Sequence, residues 1–509
     1  SLTLALALLL VAAIPARAAG FPPITVVDTI NPGAPSATPL WANGRLGDYL
    51  YFPADDGTNG FELWRTNGTD TTLVANINTH VDGGSVPYPF GALGDWLYFG
   101  ADDLVHGREL WRTNGTDTNL VKNIGTDPGG GLDPISSNPN DLTVLGDWLY
   151  FSADDGVGGH GNELWRTNGT TTQMVDDIQP GSTGSSPNNL KVFGGYLYFA
   201  ADDGVHGNEL WRTNGTMTEM VRNIAVESAE PDPSNPCYLT VLGNHLYFSA
   251  SDGAGGHGNE LWRTDGVDGT DAHTHMVKDI NTGGDSYPQN LTVFNGHLYF
   301  SAVQDGLTSG YELWRSDGTA AGTTKFKEIN PGSANGSPSI FTRLGTHLYF
   351  TADDGVHGQE LWWTDGISGA DAHTAMIQDI NLGSGGADSS SPYGLKAHGD
   401  YVYFTAGDGT SSKFWRVSDQ GVVDSAVLPG TNGFVGCMCS EPIIPLNGRL
   451  FMTEYSSETG MEFSYLDEPT WKMPSTNRDG SPWSTALVVL AAVTAAAGLT
   501  VRMREVKRA

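Results

Sequence analysis

The chain has 509 residues, with 67 Gly and 27 Pro, and carries a formal charge of −32 from 58 acidic against 26 basic side chains. A surface this acidic repels nucleic acid and anionic lipid, and it favours cations or basic partners. Three cysteines make no disulfide framework, and no long helical period runs through the body, so many short strands and turns are expected.

In chain order, residues 1–18 read as a signal peptide. Leu2 to Ile14 is apolar, and Ala16-Arg17-Ala18 forms a small-x-small cleavage pattern before Ala19. The apolar run is too short to be a membrane anchor. Next, Ile24-Thr25-Val26-Val27-Asp28-Thr29-Ile30 has the form of one strand, turned by Asn31-Pro32-Gly33. From there a single phrase recurs: Leu-Tyr-Phe, an acidic Gly-rich loop, Glu-Leu-Trp-Arg, then Thr-Asn/Asp-Gly-Thr. Its tryptophans are Trp64, Trp111, Trp165, Trp211, Trp262, Trp314, Trp362 and Trp415, at intervals of 46 to 54 residues. A ninth, worn copy holds Leu450-Phe451-Met452 and Glu462-Phe463. A period of this length means stacked units that bury a core only against their neighbours.

The unit from Asn290 to Asn330 shows what one copy builds. Leu291-Thr292-Val293 ends at Asn295-Gly296, a tight hairpin signal. Leu298-Tyr299-Phe300 follows, with Leu and Phe expected on one side and Tyr on the other. Glu312 to Arg315 and Lys325 to Ile329 complete four antiparallel strands, the size of a propeller blade. The segment from Ile24 is a fourth strand without its first three, and Ile443 to Leu466 holds three strands without a fourth. Together they would complete one blade and latch a ring. The expected fold is all-β: a β-propeller of eight or nine four-stranded blades over residues 19–467, closed by the N-terminal strand.

Residues 468–482 read as a linker. Trp483 to Val501 is mostly apolar and roughly 28 Å long as a helix, enough to span a hydrocarbon core. Arg502, Arg504, Lys507 and Arg508 follow at once, the positive-inside pattern. This predicts a single-pass transmembrane helix at 483–501, a basic cytoplasmic tail at 502–509 and an extracellular propeller at the cell surface.

The recurring phrase resembles the ELWxxDGT repeat family of exported and surface proteins, as in Glu312-Leu313-Trp314-Arg315-Ser316-Asp317-Gly318-Thr319. The match runs from about residue 24 to 466. The resemblance implies a propeller-like exported repeat protein and no catalytic residues. The last two units depart from it: Lys413-Phe414-Trp415 replaces Glu-Leu-Trp, and Phe463-Ser464 replaces Leu-Trp.

Chemistry has four candidate places. Asp56, Asp103, Asp155, Asp203, Asp252, Asp305, Asp354 and Asp408 hold one loop position, with Glu62, Glu109, Glu163, Glu209, Glu260, Glu312 and Glu360 downstream. Such oxygens suit calcium, the one cofactor suggested; the competing reading is Asp closing a turn on its own backbone. His106, His160, His206, His257 and His357 ride on the same loops, one per blade, too dispersed for a transition-metal centre. Asp271, His273 and His275 alternate, so an extended backbone would put all three on one face as a transition-metal set; a polar edge-strand face is the alternative. Asn67, Asn114, Asn168, Asn214, Asn290 and Asn335 open glycosylation sequons, the first four also being hairpin turns. If the N-terminal strand is outermost, the acidic loops and the Asn-Pro-Gly connections share one face and the sequon turns lie on the other.

Three functions compete. A surface-anchored binding or adhesion module for a glycan or protein ligand fits export, anchor and repeats, and no G-x-S-x-G, H-E-x-x-H or phosphate loop speaks for catalysis. A structural coat glycoprotein would use the sequons. A propeller glycan hydrolase or lyase would need one-off residues near the axis, and Trp363, Lys413, Glu441 and Glu454 are scattered. The expectation is a non-enzymatic binder with the membrane as its second partner.

Overall fold

A computed structural model describes residues 24–26, 30, 44–80, 83–126, 134–226, 232–253, 255–267, 273–304, 310–368, 373–382, 388–419, 421, 423–426, 443–456 and 460–467. The predicted signal peptide, linker, membrane span and tail lie outside these residues, as do Asp271, Asp305, Cys437, Cys439 and Glu441. Among the described residues no helix is long and apolar enough to cross a membrane.

Blade 3 shows the local logic. Its strands are Asn140–Leu145, Trp148–Asp154, Asn162–Thr167 and Thr172–Asp176, paired in that order as an antiparallel sheet. Gly146 closes the first hairpin at a positive φ, and Gly169 closes the turn before the outer strand at φ +87°. Leu149, Tyr150 and Phe151 are all buried, so the period of two does not separate core from solvent. It separates two cores. Leu149, Phe151, Ala153 and Trp165 pack against Tyr98, Leu110 and Ile124 of blade 2. Tyr150, Leu164 and Ile178 pack on Leu197, Phe199 and Ala201 of blade 4. Each blade is a slice with an apolar face on either side, which is why an apolar triplet of the Leu-Tyr-Phe type recurs in every blade.

Nine such four-stranded sheets follow one another, which decides between the expected eight and nine. The ninth is Ile443–Leu446, Arg449–Ser456 and Gly460–Asp467, completed on its outer edge by Ile24–Val26. Thr25 pairs with Tyr465 in that ladder. Leu446 and Phe451 of blade 9 then join Leu50, Phe52 and Ala54 of blade 1 in one core, and Asn447 Nδ2 donates to the carbonyl of Asp48 at 2.9 Å. The ring is closed by the chain's two ends, as the complementary fragments predict.

The first strands of neighbouring blades meet at the centre. Thr240 Oγ1 donates to the carbonyl of Leu291 at 3.1 Å, and Thr342 Oγ1 to that of Leu395 at 3.0 Å. Strand alternation from this inner position puts the acidic loops and the blade-to-blade connections on one face, here the upper. The hairpin and sequon turns lie on the lower. Asn76 Nδ2 reaching Asn59 Oδ1 at 2.9 Å ties an outer strand's end to an acidic loop and fits that layout.

Candidate functional site

Two layers decide what the upper face offers, a repeated frame and a variable lining. The frame begins at the glutamate opening each third strand. Glu62, Glu109, Glu163, Glu209, Glu260, Glu312 and Glu360 are buried, at 0–1% exposure. In blade 2, Glu109 accepts N–H bonds from Ile124 (2.9 Å), Gly125 (2.9 Å) and Ser137 (3.2 Å), and the Ser137 hydroxyl at 2.6 Å. One carboxylate thus ties an outer strand to the connection that begins the next blade. Burial pushes the carboxyls of Glu209, Glu260 and Glu312 up to about 7, against the donors that pull the other way. The other four are raised by the same burial.

One of the two readings of these loops makes the downstream glutamates calcium ligands; their oxygens are instead taken by the connection. The serines that serve them went unread in the sequence. They stand in a recurring Ser-x-Pro, as in Ser137-Asn138-Pro139, Ser185-Ser186-Pro187, Ser234-Asn235-Pro236 and Ser286-Tyr287-Pro288. The middle residue is left-handed, at φ +45° to +50° in these four. In blade 6 Gly336 replaces the serine, so Glu312 lacks the hydroxyl donor. In blade 8 Lys413 stands where the glutamate would be and pairs with Asp408.

The loop aspartates have a local task. Asp103 Oδ1 accepts from the N–H of Val105 (2.9 Å) and His106 (2.7 Å), while Oδ2 meets His106 Nδ1 at 2.7 Å. Asp203 with His206 and Asp354 with His357 repeat this. Asp155 with His160 and Asp252 with His257 do so across a longer loop. Asp56 holds Asn59 in the same way. Burial would raise Asp103, Asp203 and Asp354, but hydrogen bonds from the loop and its histidine outweigh it and hold them below the usual carboxylate value. Conversely, the bond to Asp raises His160, His257 and His357. Each histidine is thus the aspartate's partner. Among the described residues no three His, Cys, Asp or Glu side chains converge as a metal shell.

Of the Asp271, His273, His275 set, Asp271 lies outside the described residues, and each histidine has a partner of its own. His273 Nδ1 bonds Asp265 Oδ2 at 2.7 Å, and His275 Nε2 accepts from Arg263 Nε at 3.1 Å. Arg263 belongs to the neighbouring third strand and Asp265 to the turn that follows it. His245 and His347, which open their second strands, are half-buried against Tyr247 and Tyr349.

Asn67, Asn114, Asn168 and Asn214 sit in the lower-face turns, each Oδ1 accepting two backbone N–H groups. The last two sequons break the expected layout. Asn335 lies exposed on an upper-face connection, and Asn290 lines the central cavity.

The variable layer lies on the inner strands of blades 3 to 8. Each carries a bulge that shifts its register, as between Asn188 and Lys191 or Cys237 and Thr240. The bulged residue is left-handed in every case: Asp141, Asn189, Tyr238, Asn290, Ile340 and Gly394, at φ +53° to +68°. A β-branched residue there is a genuine outlier, and Ile340 costs roughly 1–3 kcal/mol that the surrounding sheet must impose. One backbone position therefore holds five different residue types across six blades, inside a repeat whose frame is nearly constant. Four of them, Asn189, Tyr238, Asn290 and Ile340, line a cavity of about 700 Å³ with Lys191 and Thr292. Asp141 lines an adjoining recess of about 530 Å³ with Arg108, Asn138 and Asn162. Cys237, the described cysteine, is free and half-buried in the larger cavity, where burial raises its thiol.

No family model matches the chain, and no curated protein matches it. Among solved structures it is similar to one from a study of two prolyl endopeptidases, at 12% identity and TM-score 0.39, covering 74% of this chain and 54% of that one. It is also similar to prolyl oligopeptidase B from Galerina marginata (12%, TM-score 0.36), covering 73% of this chain and 55% of that one. A third is the GH74 xyloglucanase from Xanthomonas campestris (14%, TM-score 0.30), covering 88% and 74%. The chain spans a little over half the length of the two peptidase structures. Likenesses this distant carry no argument about ligand or chemistry.

Proposed function

We propose that the protein is an extracellular binding module whose ligand, a glycan, enters the central cavity along the inner strands. The observation that carries this is the bulge position: frame residues repeat blade after blade, while Asn189, Tyr238, Asn290 and Ile340 bring three residue types to one cavity. Amide groups at Asn189 and Asn290, the Thr292 hydroxyl and the 40% exposed Tyr238 ring offer hydrogen bonds and a flat apolar face. Those are the elements that hold a sugar ring. Backbone strain concentrated there fits a preorganised site.

A binding rather than catalytic role is part of the same proposal. The larger cavity's described lining has no carboxylate, and glycoside hydrolysis ordinarily needs a pair. Membership of the ELWxxDGT repeat family, export through residues 1–18, a helical anchor at 483–501 and glycans on the lower-face turns also belong to the proposal and rest on sequence.

The test is a glycan array probed with the purified full chain, with the same glycans afterwards checked for cleavage. Retention of a defined glycan set without products supports the reading. Products would make the protein a hydrolase or lyase; retention only of proteins would move the ligand class.

A further inference from the structure

The residue after the tryptophan in Glu-Leu-Trp-Arg is an arginine in seven of the first eight blades: Arg65, Arg112, Arg166, Arg212, Arg263, Arg315 and Arg416. Its guanidinium has a repeated berth. For five of the seven it lies over the ring that opens the second strand, 4.4 Å from Tyr49 for Arg65 and 4.2 Å from Trp96 for Arg112, while Arg315 lies over Phe326. Nη1 then donates across the blade interface to the turn glycine of the next blade. Arg65 reaches Gly115 at 2.9 Å, Arg112 reaches Gly169 at 2.7 Å and Arg263 reaches Gly318 at 2.7 Å.

Blade 7 lacks this arginine. Trp363 takes its place and packs edge-on to His347, ring centres 4.6 Å apart. The rest of the berth remains: an aromatic ring at His347, the Tyr349 phenol, and the turn of blade 8 at Asp419 and Gly421. A cavity of about 360 Å³ opens between them. Tyr349 donates to the carbonyl of Ser418 at 3.1 Å, and its phenol is pushed up to about 12 by burial and then by Asp419, so it stays a donor. His347 lines this cavity, and its Nδ1 is buried without a hydrogen-bond partner. Asp419 is exposed and adds negative charge at the mouth.

We propose that this cavity binds a guanidinium group supplied from outside the chain, the arginine side chain of a partner segment, in the berth that the other interfaces fill themselves. The chemistry matches point by point. Trp363 and His347 give aromatic surface, and Asp419 gives a carboxylate. A partner with exposed arginine also suits an acidic body of this charge. The site is on the lower face, remote from the inner-strand cavity, and stands or falls independently of the glycan reading.

The test is calorimetric titration of the full chain with N-acetyl-arginine amide, with its neutral citrulline isostere and with N-acetyl-lysine amide. The arginine compound should bind, and citrulline should bind about tenfold or more weakly for loss of the charge. Lysine should also bind more weakly, since its ammonium cannot stack as a planar fork. Asp419→Asn, an exposed change that spares the fold, should weaken the arginine compound several-fold. Trp363→Arg fills the berth from within and should abolish binding while raising Tm. Equal binding of arginine and citrulline, or of arginine and lysine, would overturn the proposal, as would undiminished binding to Asp419→Asn or Trp363→Arg.

Discussion

The hydroxyl of Ser234 lies 2.6 Å from Oε2 of Glu209, 25 residues away in the chain. Between them run the outer strand of blade 4 and the connection to blade 5, and both are pinned by this carboxylate. Glu209→Gln replaces an acceptor with an amide N–H₂ facing donors, so it should cost about 3–5 kcal/mol in denaturant unfolding. Ser234→Ala, which removes one donor of several, should cost about 1–3 kcal/mol. Equal, small effects from both would remove the clamp from the account.

The raised glutamates give stability a direction with pH. A carboxyl whose folded value is raised contributes stability that is fully present below about 4.5 and lost as pH rises through about 7. Glu209, Glu260 and Glu312 each contribute on the order of 3 kcal/mol to that loss. The lowered aspartates Asp56, Asp103, Asp203 and Asp354 act oppositely, losing stability as pH falls below about 4. Tm should therefore peak near pH 5 and decline toward pH 8 in a calorimetric series. A Tm that rises steadily from pH 5 to 8 would contradict the buried-carboxyl assignment.

Much of the frame was legible because repetition multiplies a weak signal. One Leu-Tyr-Phe is a short apolar run, whereas seven at intervals of 47 to 52 residues, with complementary end fragments, imply a closed ring. Two things were hidden. The alternation of Leu298, Tyr299 and Phe300 puts Leu and Phe on one side and Tyr on the other, as expected, but it does not tell that blade-on-blade packing buries both sides. The glutamates looked like surface ligands because the serines satisfying them lie 22 to 30 residues downstream, beyond any local pattern. The inner-strand bulges leave no motif at all. They are visible only as a position where the repeat stops repeating.

Calcium should not stabilise the loops. Asp103 and Asp203 already spend both oxygens on backbone N–H groups and a histidine, and the downstream glutamates are buried elsewhere. Tm in millimolar calcium and in chelator should agree within about a degree. A rise of many degrees would mean that several sites bind the ion, since saturation adds roughly 2.7 kcal/mol per site at a hundredfold excess over Kd.

Ring closure rests on a short edge. Deleting residues 24–26 removes the outer strand paired with Gly460–Asp467 and leaves its N–H and C=O groups exposed. The deletion should lower Tm and promote concentration-dependent association in light scattering. An unchanged melt would show that the latch contributes little.

The interblade arginine berth can be closed sterically. Gly115 has φ +89°, and a methyl there would lie 2.5 Å from Arg65 Nη1 and from Tyr51 Oη. Gly115→Ala should cost about 1–3 kcal/mol from strain and the displaced guanidinium together. Gly146→Ala, with φ +61° but open space around it, isolates the strain component. Equal costs for the two would mean that the Arg65 contact adds nothing.

The most direct measurement compares glycan binding by the full chain and by a Tyr238→Ala, Asn290→Ala variant, with Tm recorded for both. The account predicts that the wild type retains a defined glycan set and that the variant loses it while melting within a few degrees of the wild type. Undiminished binding by a folded variant, or no glycan bound by the wild type, would contradict it.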